Sequence, residues 1–339
     1  MAFIKKISQF RSISIVGMAK NTGKTTCLNY VIERLYAEGK KIALTSIGVD
    51  GEERDVLYDT PKPRIVLHKG MVFVTSEKDV LACEFPYETL SISERSTPLG
   101  KLVTARSKGS GKVVISGPSD SAWLQEILSE LPKFGVEITL VDGALSRMSL
   151  ASPAVTEALI LCTGAACSPQ LQELIRKTKF RCDLIELPQV DDSVLKQIQM
   201  LENGIWRQCP TSGKWEMITN TVFTAKKISE KLLSHFPKIY VSGAITNEFL
   251  EHINKVKQPI HLIANDFTKL FITKLTYDKF LRHGGKINVL QKAKLLAVCT
   301  NPTSPEGAYF DPIELQQEMQ KTLGVPVYDI VKCPENQKL

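Results

Sequence analysis

The chain has 339 residues, of which 43% are hydrophobic and 23% are charged, and its formal net charge is +7. This composition is typical of a globular protein with ample core, and the length suits one large α/β unit plus a second one. The basic residues are scattered and are not clustered with aromatic side chains, which argues against nucleic-acid binding. The most apolar stretch, 151–167, is interrupted by Pro153 and Glu157, and no long apolar core follows the basic residues near the N-terminus. The sequence therefore predicts no membrane span and no signal peptide, and hence a cytoplasmic location.

The first predicted strand, Ile13–Val16, leads into a loop that resembles a phosphate-binding P-loop. Residues 17–25 read Gly-Met-Ala-Lys-Asn-Thr-Gly-Lys-Thr, and the last three match the Gly-Lys-Thr end of that motif. Five residues separate Gly17 from Gly23, one more than in the standard motif. The apolar spacing after the loop predicts an amphipathic helix over Thr25–Glu38. Strand, loop and helix start are the three parts of an anion-binding cradle.

The residue types in this loop suit the binding of a nucleoside triphosphate. Gly17 and Gly23 allow the backbone to approach phosphate groups closely. Lys24 is expected to reach the β- and γ-phosphates, and the hydroxyl of Thr25 is expected to coordinate Mg²⁺. ATP and Mg²⁺ are the predicted ligands, because no Asn/Thr-Lys-x-Asp motif for guanine occurs in the chain. The remaining residues of the predicted nucleotide site are Lys20, Asn21, Thr22 and Thr26.

Lys20 is a second lysine in the loop and has two interpretations. ParA- and MinD-like ATPases carry a signature lysine five positions before the phosphate lysine, and it reaches the γ-phosphate across a homodimer. Lys20 lies four positions before Lys24. It is therefore either a contact across a homodimer or a solvated lysine that adds positive potential to the loop.

Two predicted strands end in carboxylates that suit a magnesium site. The strand Ile42–Ile47 runs towards Asp50 and Glu52, and the strand Ile138–Val141 is followed by Asp142. In open α/β sheets ligands bind at the carboxyl ends of parallel strands, so Thr25, Asp50 and Asp142 are the predicted metal ligands. Lys24, Asp50 and Asp142 form the predicted catalytic set, and Arg147 is a further candidate for a phosphate contact. The alternative for both aspartates is a structural role in a turn before glycine.

Alternation of strands and helices along the chain predicts an α/β fold. We expect a P-loop NTPase-type parallel sheet covered by helices on both faces, with an additional C-terminal α/β region. The nucleotide-binding domain is predicted at 1–187, with an irregular insertion over 55–102 that forms a lid or a partner-binding segment, and the C-terminal region at 188–339. Further predicted strands are Val72–Thr75, Val113–Ser116, Ala158–Cys162, Leu184–Leu187, Ile239–Ser242, Ile260–Ala264, Leu295–Cys299 and Val327–Val331. Further predicted helices are Ser121–Leu131, Pro169–Thr178, Val194–Leu201 and Ile313–Leu323.

Two smaller features complete the predicted chemistry. The 8 cysteines include no Cys-x-x-Cys pair and no histidine at zinc-ligand spacing, so reduced, mostly buried thiols are expected. The segment Asn301-Pro302 follows a predicted strand and is a candidate contact for the nucleotide base. A plain turn is the alternative for that segment.

The region 12–187 resembles the dethiobiotin-synthetase- and MinD-like branch of P-loop proteins. The resemblance rests on residues 17–26, on Asp50 after the second strand, and on Val141-Asp-Gly-Ala144. More narrowly, the loop together with Leu28-Asn-Tyr30 resembles KamB-type subunits of the reactivase for the adenosylcobalamin enzyme lysine 5,6-aminomutase. This resemblance implies ATP-driven remodelling of a partner enzyme with exchange of damaged cobalamin. The implied partner proteins are such an aminomutase or a second reactivase subunit.

Three functions are compatible with these features. The first is an ATP-hydrolysing accessory protein, the second is a dethiobiotin-synthetase-like enzyme that activates a small carboxylate with ATP, and the third is a nucleotide-binding module without turnover. The sequence shows no clustered acid and base groups beyond the phosphate loop, which favours the first over the second.

Overall fold

The computed structural model describes residues 2–47, 64–144, 152–220, 237–256 and 258–329. The helices in these ranges are α1 (Ala2–Ile7), α2 (Lys24–Ala37), α3 (Glu77–Leu81), α4 (Ser121–Glu130), α5 (Leu171–Ile185), α6 (Asp192–Ile198), α7 (Asn247–Ile253), α8 (Lys274–Arg282) and α9 (Pro312–Leu323). The first nine strands are β1 (Ser12–Gly17), β2 (Ile42–Ser46), β3 (Ile65–Leu67), β4 (Val72–Ser76), β5 (Tyr87–Thr97), β6 (Gly100–Ser107), β7 (Gly111–Val113), β8 (Ile138–Ala144) and β9 (Ala158–Gly164). The others are β10 (Ile205–Gln208), β11 (Trp215–Thr219), β12 (Lys238–Val241), β13 (Ile245–Thr246), β14 (His261–Ala264), β15 (Leu270–Phe271), β16 (Lys286–Val289), β17 (Leu295–Asn301) and β18 (Val327–Asp329).

A nine-stranded sheet forms the centre of the first of two compact units. Its strand order is β18-β17-β9-β1-β8-β2-β4-β6-β5. All neighbouring pairs from β18 to β4 are parallel, and β6 and β5 add an antiparallel edge. The strands at the centre are buried along their whole length and are mostly apolar, as expected for a parallel sheet covered on both faces. The sequence-based prediction of an α/β fold with a parallel sheet flanked by helices is confirmed.

Helices cover both faces of this sheet. Successive residues of a strand point to opposite faces, so neighbouring residues of β2 pack against different helices. On one face, Leu44 packs in the same apolar cluster as α1 and α2, which contribute Phe3 and Leu28. On the other face, Ala43 packs with Trp123 of α4. The sheet therefore holds β1, β8 and β2 side by side, with their carboxyl ends at one edge.

The second compact unit has its own sheet and its own core. Strands β12, β14 and β16 are parallel, and β10 and β11 extend the sheet in antiparallel orientation. Helices α7 and α8 contribute Phe249, Leu250 and Phe280 to a buried apolar cluster with the strand residues. This unit is therefore a second α/β unit.

The division between the units differs from the predicted boundary at 187/188. The first unit comprises Met1–Lys179 and Lys294–Leu339, and the second comprises Phe180–Ala293. The chain after Lys294 returns to the first sheet, where β17 pairs with β9.

None of the helices in the described ranges combines the length and the apolar character that a bilayer crossing requires.

Three local predictions differ from the structure. A strand was predicted at Leu184–Leu187, but its first two residues form the end of helix α5, whose apolar spacing continues to Ile185. The predicted strand Val113–Ser116 is reduced to its first residue, because β7 ends at Val113 and pairs antiparallel with β3. In the predicted irregular insertion, the described part 64–102 contains ordered strands, and β4, β5 and β6 extend the main sheet.

Candidate functional site

The predicted phosphate loop connects β1 to α2. Gly17 is the last residue of β1, and α2 begins at Lys24. Two residues of the loop have left-handed backbone conformations, Asn21 with φ 61° and Gly23 with φ 80°. Gly23 is the N-cap residue, and because it has no side chain it cannot accept a hydrogen bond from the first N–H groups of α2. These N–H groups are donors for an anion, and the helix dipole adds positive potential at the same place.

The extra residue of the loop is accommodated by a turn at its centre. The hydroxyl of Thr22 is buried and donates to the carbonyl oxygen of Ala19 at 3.0 Å. A Cβ atom on Gly17 would lie 2.7 Å from that hydroxyl oxygen. Glycine is therefore required at position 17 because the loop folds back onto the end of β1.

Lys24 and Asp142 form an ion pair at the carboxyl edge of the sheet. The ammonium nitrogen of Lys24 lies 2.7 Å from Oδ1 of Asp142, and the two side chains are 21% and 17% exposed. Strand β8 lies between β1 and β2, so that Asp142 is opposite Ile15 on one side and Ser46 on the other. The hydroxyl of Ser46 donates to the carbonyl oxygen of Asp142 at 3.0 Å. The sheet thereby fixes a carboxylate beside the lysine of the loop.

Not all predicted site residues fall within the described ranges. Lys24 and Asp142 come together at the start of α2 and near the end of β8, Thr25 follows Lys24 in the first turn of α2, and Lys20 is exposed on the loop. Asp50, Glu52 and Arg147 lie outside the described residues. Within the part of the chain that the structure describes, no group of three or more His, Cys, Asp or Glu side chains is arranged to hold a metal ion. The predicted magnesium site therefore remains a hypothesis that depends on Thr25, Asp142 and the ligand itself.

Asn301, at the end of β17, contacts the loop directly. Its side-chain nitrogen Nδ2 donates to the carbonyl oxygen of Asn21 at 2.9 Å. A Cβ atom on Gly23 would lie 3.2 Å from the Cβ of Asn301. The sequence pointed to this residue as a base contact or a turn, and neither interpretation included the contact with the loop. Asn21 and Asn301 are 280 residues apart in the chain, so no local sequence signal indicates their contact.

Three buried thiols lie next to the loop on α2, β9 and β17. The sulfur of Cys27 is 3.6 Å from that of Cys299, and Cys162 is paired in register with Cys299 and with Gly17. Hydrogen bonding with Cys162 raises the pKa of Cys27, and the same contact lowers the pKa of Cys162. Burial raises the pKa of Cys299. The cysteines within the described ranges are free thiols, and four of these seven are buried.

The arrangement has the chemistry of an anion site rather than of a nucleophilic centre. It combines helix N–H donors, one ammonium group and a carboxylate at a sheet edge, which are the groups that bind a polyphosphate and its metal ion. Comparison with protein-family models, curated proteins and solved structures found no match to this chain.

Proposed function

We propose that this chain is a P-loop NTPase that binds Mg-ATP at residues 17–26 and uses its hydrolysis to act on a partner enzyme. The observation that supports binding best is the start of α2. Gly23 provides no side chain to cap the first N–H groups of α2, and the next residue, Lys24, carries the ammonium group that pairs with Asp142. Asn21 and Gly23 provide the left-handed backbone that such a turn requires.

In this proposal the ion pair between Lys24 and Asp142 is the state of the site without ligand. A triphosphate carries more negative charge than one carboxylate, so Lys24 exchanges Asp142 for the β- and γ-phosphates. The carboxylate released by this exchange becomes available for Mg²⁺. Ligand binding is thus coupled to a change of partner for both side chains.

The residues present fit a hydrated magnesium ion. Mg²⁺ keeps several waters and is held by one or two protein groups together with phosphate oxygens, so it does not require a cluster of three acidic side chains. Thr25 provides a hydroxyl in the first turn of α2, and Asp142 provides a carboxylate at the neighbouring strand end. The ion would neutralise charge on the phosphates, while this chain holds the triphosphate and its hydration shell in place.

We favour an accessory protein over a small-molecule enzyme. Among the described residues, no group of three or more His, Cys, Asp or Glu side chains is arranged to hold a metal ion. The described part of the chain therefore offers no second metal-binding centre for a small-molecule reaction. As an accessory protein, the chain would act on a partner protein. The resemblance to reactivase subunits suggests an adenosylcobalamin-dependent aminomutase or a second reactivase subunit as that partner. The proposal includes a homodimer in which Lys20 of one chain contacts the γ-phosphate of the nucleotide bound to the other chain.

The binding step is tested by isothermal calorimetry with Mg-ATP on Lys24→Ala and Lys20→Ala. Both variants lose one positive charge from the loop, but only Lys24 is adjacent to the uncapped N–H groups. We expect Lys24→Ala to weaken binding about 10- to 150-fold, which corresponds to a charged hydrogen bond of about 1.5–3 kcal/mol. If the site is formed by one chain, Lys20→Ala should change the affinity for Mg-ATP by less than about threefold. If Lys20 contacts the nucleotide of the other chain in a homodimer, the variant should instead hydrolyse ATP more slowly. Wild-type affinity of a folded Lys24→Ala protein would exclude the proposed phosphate role.

The choice between accessory protein and carboxylate-activating enzyme is tested by phosphate release. An accessory protein hydrolyses ATP slowly alone and faster with its partner, which is found by affinity capture from the native host and mass spectrometry. A dethiobiotin-synthetase-like enzyme instead releases phosphate only when a small carboxylic acid is added, without any protein partner. Stimulation by a small acid alone would replace the first function by the second.

A further inference from the structure

The end of β17 contacts the predicted phosphate loop at the two points where the loop backbone is left-handed. The side chain of Asn301 donates to the carbonyl oxygen of Asn21, and its Cβ lies against Gly23. Asn21 and Gly23 are the residues of segment 17–26 with positive φ. Asn301 therefore holds the two backbone positions that determine the path of the loop.

The hydrogen bond to Asn21 also orients a donor. The peptide bond between Asn21 and Thr22 is planar and trans, so that its C=O and N–H groups point in opposite directions. Because Asn301 binds the carbonyl oxygen, the N–H of Thr22 is directed away from Asn301. A single side-chain contact thus fixes the direction of one loop donor.

Neighbouring residues hold Asn301 in position. Its Oδ1 accepts hydrogen bonds from the N–H and the hydroxyl of Thr303, at 3.2 and 3.0 Å. Its backbone lies so close to Gly164, the last residue of β9, that a Cβ there would be 2.1 Å from the Asn301 carbonyl oxygen. Both lone pairs of Oδ1 and one of the two Nδ2 hydrogens are used within the protein. The side chain is thus engaged in support of the loop, which disfavours a contact with a nucleotide base.

We propose that Asn301 is a positioning residue of the polyphosphate site. It acts on the loop backbone through Asn21 and Gly23, so its loss weakens binding of the phosphate chain whatever base is attached. This inference rests on the proposed nucleotide function and adds to it a residue far from the motif in sequence.

The test compares three probes, Mg-ATP, Mg-GTP and Mg-tripolyphosphate, in calorimetry on the wild type, Asn301→Ala and Thr303→Val. Asn301→Ala keeps the Cβ at Gly23 but removes the donor to Asn21. We expect it to weaken all three probes by the same factor, about 2- to 12-fold, the equivalent of one neutral hydrogen bond. Thr303→Val leaves that donor in place and keeps the bond from the Thr303 N–H to Oδ1, so we expect it to weaken the probes less than Asn301→Ala does. A loss restricted to ATP, with tripolyphosphate bound as by the wild type, would show a base contact and overturn the inference.

A measurement without ligand tests the same inference if Asn301→Ala does not fold. In the nearly isosteric Asn301→Asp, which also lacks the donor, hydrogen exchange of residues 18–23 is expected to accelerate, while residues 28–36 of α2 keep the exchange rate of the wild type. Unchanged exchange in the loop would reject a positioning role. If the wild type binds none of the three probes, the proposed function fails and this inference fails with it, whereas binding that is equal in wild type and variants rejects only the role of Asn301.

Discussion

Two glycines at opposite ends of α2 allow the packing of the loop to be measured. Gly23 precedes the helix with φ 80°, and Gly39 follows it with φ 72°. Alanine at either position pays the cost of a left-handed conformation, about 1–2 kcal/mol. The surroundings differ, because a Cβ at Gly39 meets no atom within 4 Å, whereas a Cβ at Gly23 would lie 3.2 Å from the Cβ of Asn301. We therefore expect Gly23→Ala to lower the free energy of unfolding about 1–3 kcal/mol more than Gly39→Ala.

The stability measurement can be confined to the unit that contains the loop. Trp123 of α4 is buried in that unit, whereas Trp206 and Trp215 belong to the other unit. In a Trp206→Phe, Trp215→Phe background, urea unfolding followed by tryptophan fluorescence reports on the first unit. Triphosphate affinity is measured by calorimetry on the same proteins. We expect binding to fall more than tenfold in Gly23→Ala and to stay within about twofold of the background in Gly39→Ala, the loss of a charged hydrogen bond being worth about 1.5–3 kcal/mol.

Equal destabilisation by the two alanines would refute the reasoning, because the shared backbone cost would then explain both. Equal triphosphate affinities would show that crowding at Asn301 does not reach the ligand. The comparison does not depend on the absolute cost of a left-handed alanine, since that cost is common to both variants.

Three further predictions concern other parts of the chain. Asp142→Asn is expected to retain ATP binding but to lose magnesium-dependent phosphate release, because the carboxylate is proposed to hold the metal. Asp79→Ala should lower the free energy of unfolding by about 2–4 kcal/mol in urea titration, since Asp79 accepts hydrogen bonds from the buried hydroxyls of Ser76 and Ser116 at 2.7 and 2.5 Å. Hydrogen bonds led by the hydroxyl of Ser212 lower the pKa of Cys209 to about 7, so iodoacetamide should label this thiol before the other cysteines of the described ranges, with a rate that rises through pH 7.

Each of these has an outcome that contradicts it. Unchanged metal-dependent turnover in Asp142→Asn would transfer the metal role to another carboxylate. Asp79→Asn is the control for the second, and a loss of stability equal to that of Asp79→Ala would mean that charge rather than hydrogen bonding stabilises the cluster. For the third, peptide mapping that finds Cys27 labelled as fast as Cys209 would contradict the burial of the first and the ionisation of the second.

The local elements near the N-terminus could be predicted well because their signals are local. The strand before Gly17, the loop and the helix after it agree with the structure to within one or two residues. The strand predicted at Ile138–Val141 begins at the same residue in the structure but continues for three more residues, to Ala144, and so includes Asp142. A buried parallel strand is a short apolar run, and a helix has its own apolar spacing, so both are visible in single segments. The run Leu184–Leu187 was assigned wrongly for the same reason, because a short apolar run does not distinguish a strand from the end of a buried helix.

The sequence by itself determined the alternation of strands and helices, the loop with its lysine, and the carboxylate at the end of the strand Ile138–Ala144. Only the tertiary structure decided that residues after Lys294 return to the first sheet, that Cys27, Cys162 and Cys299 meet, and that Asn301 supports the loop. The physical reason is the range of the interactions involved. Periodicity and turn chemistry act over a few residues and are written in consecutive positions. Strand order brings distant positions together, and no signal in either segment alone specifies its neighbour.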